Sequence, residues 1–170
     1  SRVGTDSVLL EVTQSNSGDP IRDIRVMRPG HRNVGKHEFG GDFKNYLSFY
    51  NTIRFMDWGE TNDNVMENWS ERTQEDWYTQ SNQYYGVAYE HMIDLANDLN
   101  KDIWICVPHK ASNSFIDNMA TLFNNRTETA RHFYLEYSNE VWNGIFDQAQ
   151  WVENSGYAGS NRMNKYGTRA

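Results

Sequence analysis

Hydrophobic and polar positions follow two rhythms along this chain, and the rhythm switches several times. Alternation by two marks strands, and recurrence at three and four marks helices. Residues 7–13 (SVLLEVT) read as a strand, and 15–20 (SNSGDP) carry turn chemistry. Over 21–27, Ile21, Asp23, Arg25 and Met27 alternate against Arg22, Ile24 and Val26, as in a second strand. Phe43, Tyr46, Leu47 and Tyr50 then fall at i, i+3, i+4 and i+7, which predicts a helix over 42–50 with those four on one face. Residues 52–58 (TIRFMDW) are strand-like. A helix over 87–99 gathers Ala88, Met92, Leu95, Ala96 and Leu99 on one side. The run 102–108 (DIWICVP) is almost wholly apolar, as expected of a strand covered on both faces. Ser114 and Asp117 have the spacing of a capping box for a helix burying Phe115, Met119, Leu122 and Phe123. Residues 131–137 form a further expected strand, and Ile145, Ala149 and Val152 mark a last helix.

From residue 21 the expected order is βαβαβαβα. Strands alternating with helices imply a parallel sheet with right-handed crossovers, so the fold class is α/β. Four βα units are half of a TIM-type (β/α)8 barrel; they also suit a small doubly wound sheet. The second option favours a glycine-rich phosphate loop after the first strand, and Arg28-Pro29-Gly30-His31 is not one. The expected organisation is an extra N-terminal strand and turn over 1–20, then a half barrel over 21–170. In either architecture ligands bind on the loops at the carboxyl ends of the strands. Those segments are 28–41, 58–86, 109–113 and 138–144. The second is far longer than the usual few residues. It holds Trp58, Trp69, Trp77, Tyr78, Tyr84 and Tyr85, too many large aromatics for a free linker.

Composition narrows the function. With a net charge of −7 and no basic run longer than two, the chain lacks the clustered cations that non-specific nucleic-acid binding requires. No apolar stretch is long enough to span a membrane. The single cysteine, Cys106, rules out an internal disulfide framework and a cysteine-built zinc site; mid-strand in an apolar run, it reads as a buried, inert thiol. His31 and His37 with Glu38 lie on one loop that could hold a metal, but a plain polar loop is the far stronger reading of them, and no cofactor is expected. His109 and His132 add no tight ligand spacing. There is no GxSxG elbow. Asn68-Trp69-Ser70 and Asn125-Arg126-Thr127 are glycosylation sequons, which matter only in a eukaryotic secretory context.

The most specific segment is Glu136-Tyr137-Ser138-Asn139-Glu140-Val141-Trp142-Asn143, where the fourth counted strand closes in Asn-Glu followed by Trp. Together with Arg54-Phe55-Met56-Asp57-Trp58 and Pro108-His109-Lys110-Ala111, it resembles the clan A glycoside hydrolases, retaining enzymes on (β/α)8 barrels, and among them a group of secreted microbial proteins. The resemblance implies Glu140 as general acid/base and Asn139 as the contact to a sugar 2-hydroxyl. It implies Arg54 and His109 as substrate-site residues, with Asp57, Trp58 and Trp142 lining the same surface. A polysaccharide or oligosaccharide partner and an extracellular or periplasmic location follow from it. A strand-end glutamate beside indole rings is partly desolvated, which suits an acid that must stay protonated. The bland alternatives are a helix-capping role for Glu140 and an Arg54–Glu136 ion pair. By alternation Glu136, Ser138 and Glu140 would share one strand face, with Glu136 buried and needing a cation.

The departure from the pattern is equally informative. A retaining glycosidase needs a second carboxylate about 5–5.5 Å from the first. In clan A it lies on strand seven, and only four βα units are counted here. Asp57 and Glu60 follow the second counted strand without precedent as nucleophiles. The expectations are therefore a fragment of a longer enzyme or a half barrel that pairs, as a homodimer, to complete the ring. The alternative is a non-catalytic carbohydrate-binding or assembly protein.

Overall fold

A computed structural model describes residues 11–22, 24, 39–80, 82–128, 131–155 and 159. The chain divides into two compact units, 1–35 and 36–170.

In the first unit, the described residues centre on a tight turn. Asn16 and Asp19 form an isolated antiparallel bridge, with the Asn16 side chain accepting from the Gly18 N–H at 2.9 Å. Of the strands expected over 7–13 and 21–27, the described residues 11–13, 21, 22 and 24 have no regular structure; the remainder lie outside the described residues. Ile21 and Ile24 are exposed. At these described positions the alternation meets no surface that buries it.

The second unit is mixed α/β. Its elements run α1 (Gly41–Leu47), β1 (Thr52–Arg54), α2 (Tyr89–Leu99), β2 (Asp102–Val107), α3 (Asn113–Arg126), β3 (Phe133–Tyr137) and α4 (Asp147–Asn154), with a 3-10 turn at Trp69–Glu71. The strands form a parallel sheet in the order β1-β2-β3, with Ile53 opposite Ile103 and Cys106 opposite Glu136. One sheet face carries Ile53, Ile103, Ile105 and Val107 into a core with Met92, Ile93, Leu95 and Ala96 of α2 and Phe115, Met119 and Phe123 of α3. The other face carries Arg54, Trp104, Cys106, Tyr134 and Glu136. Trp104 and Tyr134 there are exposed, so β2 is covered fully on one face only, not on both.

Local chemistry sets the boundaries. β1 stops at Arg54 because the chain coils next: Phe55 O accepts from Gly59 N–H at 3.0 Å and Met56 O from Thr61 N–H at 3.3 Å. Asp57 and Trp58 thus sit on a turn rather than in a strand. α2 ends where Asn100 adopts φ 59°, its N–H returning to Ala96 O. α3 is capped by Ser112, whose Oγ accepts from Phe115 N–H at 3.2 Å; Ser114 and Asp117 do not form the expected box. Ser112 is extended, as a cap must be, whereas Ser114 is already helical. α1 buries no residue, and Tyr46 and Tyr50 are exposed. Ile145 precedes α4 and is exposed. No helix among the described residues is long and apolar enough to cross a membrane.

Candidate functional site

Three parallel strands deliver the segments that follow Arg54, Val107 and Tyr137 to one end of the sheet. At that end the backbone is unusually bent. Ser138 N–H still reaches Val107 O at 2.8 Å, but Ser138 itself has φ 55° and Glu140 φ 42°, with Asn139 between them. Glu60 (φ 43°) and Asp63 (φ 55°), in the segment after β1, are left-handed too. The only other left-handed non-glycine among the described residues is the helix cap Asn100. Each such position costs about 1–3 kcal/mol, and such strain concentrates at functional sites. It also breaks the expected alternation, so Glu136, Ser138 and Glu140 do not share a strand face.

Arg54 anchors the polar face. Its Nε and Nη2 donate to Glu136 Oε2 at 3.0 and 2.7 Å, and Nη2 also donates to Asn139 Oδ1 at 3.0 Å. Glu136 Oε2 accepts further from Trp104 Nε1 at 2.9 Å and Cys106 Sγ at 3.3 Å. The Arg54 guanidinium lies 5.3 Å from the Trp104 ring centre. Glu136 is half-buried rather than buried, and its cationic partner is Arg54. Burial works against the Arg54 charge, but the hydrogen bond and charge of Glu136 outweigh it and hold the guanidinium above its ordinary value. Cys106 is pushed up to about 12, by burial first and then by Glu136, so the thiol is protonated and inert.

Arg54 can only donate, so it fixes the Asn139 amide with Oδ1 toward itself. Asn139 Nδ2 then donates to Asn62 Oδ1 at 3.0 Å. Gln148, fully buried on α4, donates from Nε2 to Asn62 Oδ1 and to Asn139 O, both at 2.8 Å, while its Oε1 accepts from Asp63 N–H at 2.9 Å. One glutamine thus ties α4, the end of β3 and the segment after β1 together. Sequence reasoning missed Asn62 and Gln148. The available signal was a polar residue beside Ala149 on the buried side of the last helix.

His109 follows β2 and is fully buried, with neither ring nitrogen hydrogen-bonded among the described residues. Its carbonyl accepts from Tyr137 OH at 2.8 Å, and its ring meets Trp151 edge-on with centroids 5.7 Å apart. Burial first, then the Lys110 charge, lowers its pKa to about 4, with Asp63 pulling weakly the other way. Glu140 is half-buried, and its Oε2 accepts from Asn143 Nδ2 at 3.0 Å. Trp142 is exposed. Trp58 packs inward against Phe39, Phe43 and Phe55, and Asp57 is exposed on the turn. The structure therefore joins Arg54 and Asn139 directly, with Glu140 next in the chain, and sets His109 and Trp58 in packed surroundings. His31, His37 and Glu38 lie outside the described residues, among which no group of three or more His, Cys, Asp or Glu could hold a metal ion.

Comparison of the chain with family models, with curated proteins and with solved structures finds no match.

Proposed function

We propose that the chain is part of a glycoside hydrolase-like (β/α) barrel, extracellular or periplasmic, whose strand-end site binds a β-linked glycan. The observation that carries this reading is the strained Ser138-Asn139-Glu140 turn at the carboxyl end of a parallel strand, with the Asn139 amide held by Arg54. Arg54 and Asn62 fix the amide's orientation, and the second Nδ2 proton of Asn139 has no partner among the described residues. That proton is the donor a sugar 2-hydroxyl would meet. Glu140 beside it is the general acid/base, able to donate to a leaving glycosidic oxygen. Trp142 presents an exposed indole on which the apolar face of a sugar ring can pack. Hydrolysis with retention needs a second carboxylate about 5–5.5 Å away, and the motif assigns none of these residues to it. The activity proposed for these 170 residues is accordingly glycan binding, with the acid/base group in place.

Calorimetry with β-linked pentasaccharides of glucose, xylose and mannose tests this. The protein is expected to bind one of them. Asn139→Ala should weaken that binding about five- to tenfold, the worth of one hydrogen bond, and Glu140→Gln should keep it. If none binds at millimolar concentration, or Asn139→Ala binds unchanged, the reading fails.

A further inference from the structure

Asp147, Gln150, Trp151 and Asn154 recur at i, i+3, i+4 and i+7 on α4, opposite the face that buries Gln148, Ala149 and Val152. A merely solvated helix face would have this spacing too, but this one walls a cavity. Together with Lys110 from the segment after β2 it lines an open surface hollow of about 320 Å³, at the small end for small-molecule pockets. Trp151 is half-buried in that wall, and Ser155 completes the lining. No hydrogen bond or ion pair engages the side chains of Lys110, Asp147, Gln150 or Asn154 among the described residues. Directly against Trp151 stands His109, sealed from solvent, with neither ring nitrogen hydrogen-bonded among the described residues. An open hollow, an aromatic wall and four polar groups uncommitted among the described residues thus coincide, with the buried His109 ring behind the Trp151 wall rather than in the lining.

We infer that this cavity is a second binding site, separate from the Asn139–Glu140 turn, and that it takes a neutral pyranose ring. The ligand chemistry follows from the lining. Asp, Asn and Gln offer flat paired polar atoms that match adjacent hydroxyls on a sugar, and an indole matches the ring's C–H face. Lys110 and Asp147 supply one charge of each sign, so the lining has no excess that would select an anion or a cation. The site would hold a glycan beside the strand ends while the turn engages it. In ligand class this rests on the glycan reading above, but in location and residues it is independent of it.

Two-dimensional NMR of the 15N-labelled protein separates the two. The Trp151 indole N–H, identified by Trp151→Phe, reports on the cavity, and the Asn139 side-chain amide reports on the turn. The probes are the same pentasaccharides, with methyl β-glucoside and methyl β-glucuronide for the ring alone. Saturable shifts of Trp151 and of the Gln150 and Asn154 amides are expected with methyl β-glucoside or a pentasaccharide. Gln150→Ala/Asn154→Ala, on the exposed helix face, should raise the half-saturation concentration read at Trp151 at least tenfold while leaving Asn139 shifts in place. Shifts confined to Asn139 would overturn the second site and leave the strand-end reading standing. Shifts confined to the cavity would uphold the site and sink that reading. No shift at either reporter overturns both. A response to the glucuronide alone overturns the neutral-sugar assignment.

Discussion

A histidine ring sealed from water, with neither nitrogen hydrogen-bonded among the described residues, as His109 is, stays in place as the neutral imidazole. Its pKa in the fold is about 4, against about 6.5 in an unfolded chain. Between those values the unfolded chain takes up a proton that the folded one refuses. Stability from this residue is complete above pH 6.5 and declines as pH falls toward 4, by up to about 3 kcal/mol. Urea midpoints at pH 7 and 4.5 measure the decline, and His109→Phe, similar in bulk and without a titrating group, should flatten it. Equal slopes in both proteins would show that other groups set the acid response. The position of His109 after an apolar strand is legible in the sequence; its burial is not, because the residues that cover it, Trp151 among them, come from a helix about 40 positions away. The Asn139-Glu140 dipeptide is likewise readable as a motif. The left-handed turn around it is not, since serine and glutamate carry no preference for positive φ.

Among the elements, the segment between β1 and α2 departs most from a loop's usual behaviour. Trp58 O accepts from Val87 N–H at 2.7 Å, closing its base, and Gly86 (φ 67°) lies where a Cβ would run into Trp58 O. Within it Arg72 makes a buried double hydrogen bond to Glu90 of α2, at 2.8 and 2.7 Å, and lies 4.3 Å from the centre of the Trp69 ring. Trp69 in turn stacks on Tyr89, with centroids 5.9 Å apart, and meets Phe115 edge-on. The aromatic richness of this stretch thus forecasts packing at Trp58, Trp69 and Tyr85, but Trp77, Tyr78 and Tyr84 are exposed. Counting aromatics cannot separate these sets, because partners from α2 and α3 decide which rings are covered. Chymotrypsin should therefore cut the native protein first at Trp77 or Tyr78 and spare Trp58 and Trp69. Glu90→Ala leaves a buried guanidinium unpaired, a loss of about 3–5 kcal/mol, and should open Trp69 to cleavage. Early cutting at Trp69 in the unaltered protein would show that the ion pair does not hold the segment down.

For the whole molecule, the decisive asymmetry is between the two faces of the sheet. The helix side is closed by α2 and α3, while the other side shows Trp104 at 38% and Tyr134 at 47% exposure beside the Arg54–Glu136 pair. Among the described residues, β1 and β3 each pair on one side only, leaving two parallel edges. Open edges and an aromatic, charge-bearing face favour association with another surface of the same kind. A twofold axis across this face would set Trp104 and Tyr134 against their own copies and let Arg54 of one protomer approach Glu136 of the other, an isologous contact. To be stable it should bury about 1,200–2,000 Å² in total or more. Sedimentation equilibrium of the 170-residue protein at 10–100 μM is expected to give twice the chain mass. Tyr134→Asp, which adds a charge to an exposed position and removes nothing from the core, should return it to the monomer without lowering the thermal midpoint of the unfolding step that remains at low concentration. A monomer throughout that range would mean that the open face is stable against water by itself, its indole and phenol satisfied by Glu136 and solvent. The barrel-completing association would then have no basis.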